Sequence, residues 1–280
     1  MRFTKMHGCG NDYIYVNCFK ETIENIPETA IKVSDRHFGI GSDGLVMILP
    51  SDIADFKMRI FNADGSEAKM CGNATRCVAK YVYDNKMTDK TVVTLETLSG
   101  IKILDLNIKD DKVDTVKVDM GAPIVEAKLV PAISPNGAEK IIDDEVCVDG
   151  MPYRITCVSM GNPHCVMFVD STEDIEIEKI GPKFEKHEMF PDRVNVEFIQ
   201  VLSRKEINMR VWERGSGETF ACGTGACASV VACVLNGLTE DEVKVNLVGG
   251  ELYIKYDREA DTVYMTGPAT AVYSGQVYID

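Results

Sequence analysis

Cys71 and Cys222 stand 151 residues apart, and each is followed by a glycine and a short polar residue, Gly72-Asn73 in one case and Gly223-Thr224 in the other. Both precede a stretch that reads as helix. A helix start carries unsatisfied N–H groups and the positive end of the macrodipole, which together stabilise an anion. That setting lowers a thiol pKa from roughly 8.5 toward neutrality, and it is also a ready carboxylate site. The glycines let a ligand approach the backbone. A carboxylate held between two such helix ends presents its α-carbon to two thiols. One thiolate removes the α-proton and the opposite thiol returns a proton to the other face, a two-base racemisation or epimerisation. The same N–H groups stabilise the charge that builds on the carboxylate. The chemistry requires one thiolate and one thiol at the start.

A thiol has other uses: metal ligand, half of a disulfide, or core filler. The chain has ten cysteines but no C-x2-C pair and no zinc-finger spacing, which argues against structural metal. Cys77, Cys227 and Cys233 fall inside the expected helices and read as packing. A Cys71–Cys222 disulfide is the remaining rival, and a reducing compartment disfavours it.

The elements that must position these thiols come as an internal repeat. Met58-Arg59-Ile60-Phe61 is echoed by Met209-Arg210-Val211-Trp212, and Gly10-Asn11 by Gly161-Asn162, at the same 151-residue offset as the cysteines. Glu67 and Glu218 each stand four residues before a cysteine. Downstream the offset drifts, with Met120–Pro123 only loosely like Met265–Pro268. The expected halves are 1–118 and 119–267, with a strand-like tail, 268–280, returning to the first half. Each half reads as short β-rich runs with one main helix, near 73–86 and 223–236, and a weaker second helix, near 28–37 and 173–187. LDLNIKDD and DTVKVDMG read as a hairpin. The fold class expected is α+β: two pseudo-symmetric halves from a duplication, each a mostly antiparallel sheet wrapped around a central helix. A site in the cleft between them is expected, since clefts of this kind bind ligands.

Composition narrows the function. An apolar fraction of 45% and a charged fraction of 26% are those of a soluble globular protein. No run of 18 apolar residues exists, and MRFTKMHGCGNDY has no continuous apolar core of a secretory signal, so the cytoplasm is the expected location. The net charge of −14, without a basic patch, argues against nucleic-acid partners. Acidic runs such as DSTEDIEIEK read as solvated surface.

Five segments together resemble the diaminopimelate epimerase family, which are cofactor-independent amino-acid epimerases: KMHGCGNDY (5–13), RIFNADGSEAKMCGNATRC (59–77), GNPHCV (161–166), RVNVEF (193–198) and ERGSGETFACGTGACA (213–228). The resemblance implies Cys71 and Cys222 as the acid/base pair. It implies substrate contacts from Asn11, Asn62, Asn162, Asn195, Glu213 and Arg214. The N–H groups of Gly72, Asn73, Gly223 and Thr224 would hold the reacting carboxylate. His164 matches a histidine near the thiols, in position to orient or deprotonate one of them. No cofactor or metal is implied, the partner is the small molecule diaminopimelate, and a homodimer is compatible with the family. These residue types suit the substrate: an arginine grips a distal carboxylate bidentately, asparagines serve ammonium and carboxylate alike, and a glutamate suits an ammonium. Two departures stand out. Gly44 occupies a position where the family often has glutamine, and NATRC replaces the common NGARC. The rival family is the proline racemases, which share the CGTG loop but usually carry histidine where this chain has Asn73. A phenazine-biosynthesis-type isomerase lacks the two thiols. From another class, a thiol redox sensor or a metal-binding module remains a competing reading.

Overall fold

The structure is a computed structural model that describes residues 1–279. The last residue of the expected tail, Asp280, lies outside the described residues. The chain divides into two compact units, Met1–Asp119 with Thr266–Asp280, and Met120–Met265.

The first unit comprises β1 (Arg2–Gly8), β2 (Asn11–Asn17), α1 (Ile26–Ser34), β3 (Gly44–Leu49), β4 (Phe56–Asn62), β5 (Glu67–Ala68), α2 (Gly72–Asp84), β6 (Val92–Thr97), β7 (Gly100–Lys109), β8 (Lys112–Gly121) and the C-terminal β18 (Thr270–Gln276). Its sheet runs β18–β1–β2–β3–β4–β6–β7–β8, with the short β5 also against β4. The β2/β3 and β4/β6 pairs are parallel and the others antiparallel. Parallel neighbours need a crossover, and α1 and α2 supply the two. β1 turns into β2 through Cys9 (φ 52°) and Gly10 (φ 85°), the left-handed pair that a two-residue hairpin favours. The hairpin expected at 104–121 is longer than read. β7 begins at Gly100, and the turn is Asp110-Asp111, both left-handed. Aspartate tolerates that conformation better than most side chains.

The second unit repeats this order: β9 (Asp144–Val148), β10 (Met151–Ser159), β11 (Pro163–Phe168), α3 (Ile177–Glu185), β12 (Asn195–Ser203), β13 (Glu206–Glu213), β14 (Gly217–Glu218), α4 (Gly223–Leu235), β15 (Glu242–Leu247), β16 (Gly250–Asp257) and β17 (Thr262–Pro268). Here β11/β12 and β13/β15 are the parallel pairs. α1 and α3, β3 and β12, and α2 and α4 each begin 151 residues apart.

The two central helices are each 13 residues long and end on the same device. Asn85 and Asn236 cap them, Nδ2 donating to the carbonyls of Tyr81 (2.9 Å) and Ala232 (2.8 Å). A left-handed residue follows, Lys86 or Gly237. That cap stops both helices one or two residues before the expected ends. α3 begins at Ile177, four residues later than read from 173–187, because Glu173 and Asp174 form a turn and Ile175 and Glu176 are irregular. In α4 every residue but Thr224 and Leu235 is buried. A helix apolar on all sides belongs inside a core. The core of the first unit includes Ile14, Val16, Leu45 and Phe61, and that of the second Val130, Ile155, Phe184 and Phe198. Each such burial adds about 1.5–3 kcal/mol. Among the described residues, no helix is long and apolar enough to cross a membrane.

Candidate active site

Cys71 is the N-cap of α2, in extended conformation and half-buried. Its Sγ makes no capping bond to the helix and instead donates to Asn11 Oδ1 at 3.4 Å. Asn73 Nδ2 reaches the same oxygen at 3.2 Å. Asn11 Nδ2 donates to Asp43 Oδ2 at 2.8 Å. Asp43 and Asp12 are bridged by Arg36 Nη2, 3.0 Å from an oxygen of each, and Lys5 Nζ lies 2.7 Å from Asp12. Partial burial and the neighbouring Asp12 charge push the Asp43 carboxyl above its ordinary value. Burial also acts to raise Asp12, but hydrogen bonds from Arg36 and Lys5 bring it below.

Beneath the helix start lies Arg76, with no exposed surface. Its guanidinium donates to Asn73 Oδ1 (2.8 Å), Pro268 O (3.2 Å) and Gly72 O (3.3 Å). It ties the first turn of α2 to Pro268, two residues before β18. Cys9 Sγ is 3.9 Å away, and burial raises that thiol despite the guanidinium.

Cys222 is the N-cap of α4 and is buried. Its Sγ accepts the Gly225 N–H at 3.4 Å and stands 3.5 Å from Thr224 Oγ1. Despite the helix start, its pKa is raised well above the ordinary thiol value, first by burial and then by the Glu213 and Glu197 carboxylates. This corrects the expectation of a lowered pKa. The helix end contributes about 0.3–1 kcal/mol in most settings, whereas full burial moves a pKa by several units. Glu213 is itself raised by burial, against the opposing bonds from Thr219 and Cys222.

His164 and Glu197 are wholly buried, with Nδ1 2.6 Å from Oε1. His164 Nε2 lies 3.1 Å from Asn162 Oδ1. Both ring nitrogens thus engage groups other than the Cys222 sulfur, so direct deprotonation of that thiol by His164 is not what this arrangement presents. Asn195 joins the start of β11 to the residue after β13, donating to Pro163 O (2.8 Å) and accepting the Arg214 N–H (3.0 Å). The Arg214 guanidinium is exposed and held by Asp192 O at 2.8 Å. Asn62 Nδ2 donates to Ser66 Oγ at 3.0 Å. Gly44 pairs with Asn62, and a Cβ there would lie 2.0 Å from Phe61 O. The local backbone therefore excludes the glutamine the resemblance would place there.

In the first unit the structure gathers Cys71, Asn11, Gly72 and Asn73, and in the second Cys222, Thr224, Glu213, His164 and Asn162. Asp43, Arg76 and Glu197 escape the reading of the sequence. Two of them carried a signal: Glu197 is a carboxylate inside an otherwise apolar strand run, and Arg76 is a charge on a buried helix. Among the described residues, no group of three or more His, Cys, Asp or Glu is placed to hold a metal ion.

Residues 3–126 and 156–272 match the family model described as diaminopimelate epimerase. A diaminopimelate epimerase of Acetivibrio thermocellus is 59% identical over 99% of this chain and 98% of its own length. One from Methanococcus maripaludis is 56% identical over the whole of both chains. Among solved structures, a phenazine biosynthesis protein of Bacillus anthracis superposes with a TM-score of 0.72 at 18% identity, over 100% of this chain and 99% of its own. A probable proline racemase from Agrobacterium radiobacter also reaches 0.72, at 15% identity, over 100% and 93%. These last two show a shared fold.

Proposed function

The chain belongs to the diaminopimelate epimerase family, and from that premise we propose that it interconverts LL- and meso-diaminopimelate, an isomerase step in forming lysine and peptidoglycan precursors. The observation that carries this reading is the pair of cysteines at the same N-cap position of the two equivalent 13-residue helices, in a chain 59% identical over nearly its whole length to a protein bearing that name.

In the proposed reaction one cysteine, as thiolate, takes the α-proton, and the electron pair left on the α-carbon delocalises into the carboxylate. The other cysteine, as thiol, gives its proton to the opposite face. No net redox change occurs, and the two sulfurs exchange protonation states. The N–H groups of Gly72, Asn73, Gly223 and Thr224 hold the carboxylate, Asn162 flanks it, and Glu213 and the Asn11 side-chain oxygen receive the ammonium group. Arg214 grips the distal carboxylate, with Asn62 and Asn195 framing that end. Arg214 is suited to this because its guanidinium is exposed and, among the described residues, is held through Nη1 by the backbone carbonyl of Asp192. The raised Cys222 pKa supports its resting state as the thiol, the acid of the pair. The same reading places the enzyme in the cytoplasm as a homodimer working without pyridoxal phosphate.

The test is incubation of reduced protein with either stereoisomer in deuterated water, without added pyridoxal phosphate or metal. Deuterium at one α-carbon, abolished as full epimerisation by Cys71→Ser or Cys222→Ser, is the expected result. Exchange of proline but not of diaminopimelate would reassign the substrate to the proline racemase kind.

A further inference from the structure

We propose that Asp43 is a positioning residue for Cys71, fixing the side-chain amide of Asn11 so that its carbonyl oxygen, and not its NH2 group, faces the thiol. An asparagine amide has one donor end and one acceptor end, and its orientation is decided by its partners. Two asparagines in series join Asp43 to Arg76. At one end Asp43 can only accept, so it takes Asn11 Nδ2 at 2.8 Å. At the other end Arg76 can only donate, so it takes Asn73 Oδ1 at 2.8 Å. That leaves Asn73 Nδ2 to donate, at 3.2 Å, to Asn11 Oδ1. Both ends impose the same direction on the row.

Asn11 Oδ1 therefore accepts, and Cys71, 3.4 Å away, must be the donor. A thiol satisfies that geometry and a thiolate would face an oxygen lone pair. The row thus favours the protonated form of Cys71. Other charged and titratable groups surround it: Arg36, Asp12 and Lys5 on the Asp43 side, Arg76 beyond Asn73, and Tyr15 and Cys77, on both of which the charge of Cys71 acts. The second unit lacks the device. Val194 stands at the position equivalent to Asp43, and the Cys222 sulfur accepts a helix N–H instead. On the epimerase reading, and resting on it, a substrate ammonium that takes the Asn11 oxygen would free Cys71 to become the base. The orientation itself does not depend on that reading.

The experiment is the pH profile of Cys71 alkylation by iodoacetamide, followed by mass spectrometry of its peptide, which needs no epimerase activity. Asp43→Leu removes the acceptor and is expected to lower the midpoint by about one pH unit. Asp43→Asn removes the charge but keeps an acceptor where two donors, Asn11 Nδ2 and Asp12 N, converge, and its midpoint should stay near that of the unaltered protein. An unmoved midpoint in Asp43→Leu, or equal drops in both variants, overturns the proposal. Should Asp43→Leu fail to fold, nuclear Overhauser contacts in the unaltered protein decide. The Asn11 NH2 hydrogens should contact the Asp12 amide hydrogen, and contact with the Cys71 β-hydrogens instead overturns it.

Discussion

Glu197 Oε1 sits 2.6 Å from His164 Nδ1 with both side chains sealed from water, while Glu197 Oε2 has no hydrogen-bond partner among the described residues. A buried carboxylate satisfied on one oxygen only is costly, and its charge falls on Cys222. Replacing it with leucine removes one of two carboxylates that raise that thiol. The Cys222 alkylation midpoint should therefore fall, burial still keeping it above an ordinary thiol. Stability in urea should drop by about 1–3 kcal/mol, because His164 Nδ1 loses its buried hydrogen-bond partner. An unchanged Cys222 midpoint would separate Glu197 from the thiol.

Gly225 sets two magnitudes against each other. Alanine in a helix interior gains about 1 kcal/mol over glycine. A Cβ here, however, would lie 2.6 Å from Glu197 Oε1 and 3.2 Å from Cys222 Cβ, and overpacking of this kind costs about 1–3 kcal/mol. Steric crowding wins, so Gly225→Ala should be less stable and should lose turnover at least tenfold by shifting the Cys222 helix start. A variant as active and as stable as the original would show that the helix entry is free to adapt.

The repeat was legible because both thiols keep their offset and their glycines, and because α4 is apolar on every side. The helix ends were read one or two residues late, since the Asn85 and Asn236 caps look like ordinary polar residues until their Nδ2 groups are seen on the preceding turn. Asp43 was invisible for another reason. It is 32 residues from Asn11 in sequence, and only the parallel pairing of β2 with β3 brings the two together. Spacing encodes what lies along one helix or strand far better than what meets across neighbouring strands.

The buried Arg76 guanidinium holds three acceptors, among them the buried side-chain oxygen of Asn73. Each buried acceptor left unsatisfied costs about 1–3 kcal/mol. Arg76→Met should therefore lower stability by about 2–4 kcal/mol despite filling the space. Arg76→Lys, a point charge that cannot span all three, should recover part of it. Urea denaturation of the three proteins in parallel checks the order, and equal stability of Met and unaltered protein would contradict it.

Alkaline conditions should unfold the protein through its buried thiols. Burial pushes Cys77 and Cys233 up to about 12, and raises Cys165 and Cys222 well above the ordinary value. In the unfolded chain a thiol titrates near 8.5. Each group's folded pKa is thus the higher one, so its contribution is complete below about pH 8.5 and is lost as pH rises toward 12. Over that window the folded state retains protons that the unfolded state has released, and stability falls by up to about 1.4 kcal/mol per pH unit for each such thiol. Cys233→Ala isolates one of them. At pH 7.5 the variant should be the less stable, having lost a packed sulfur inside α4. The gap should narrow steadily toward pH 10, because only the unaltered protein still carries that thiol's penalty. Urea titrations of both proteins at several pH values measure it, and a gap that stays constant with pH would mean that Cys233 does not keep its proton in the fold.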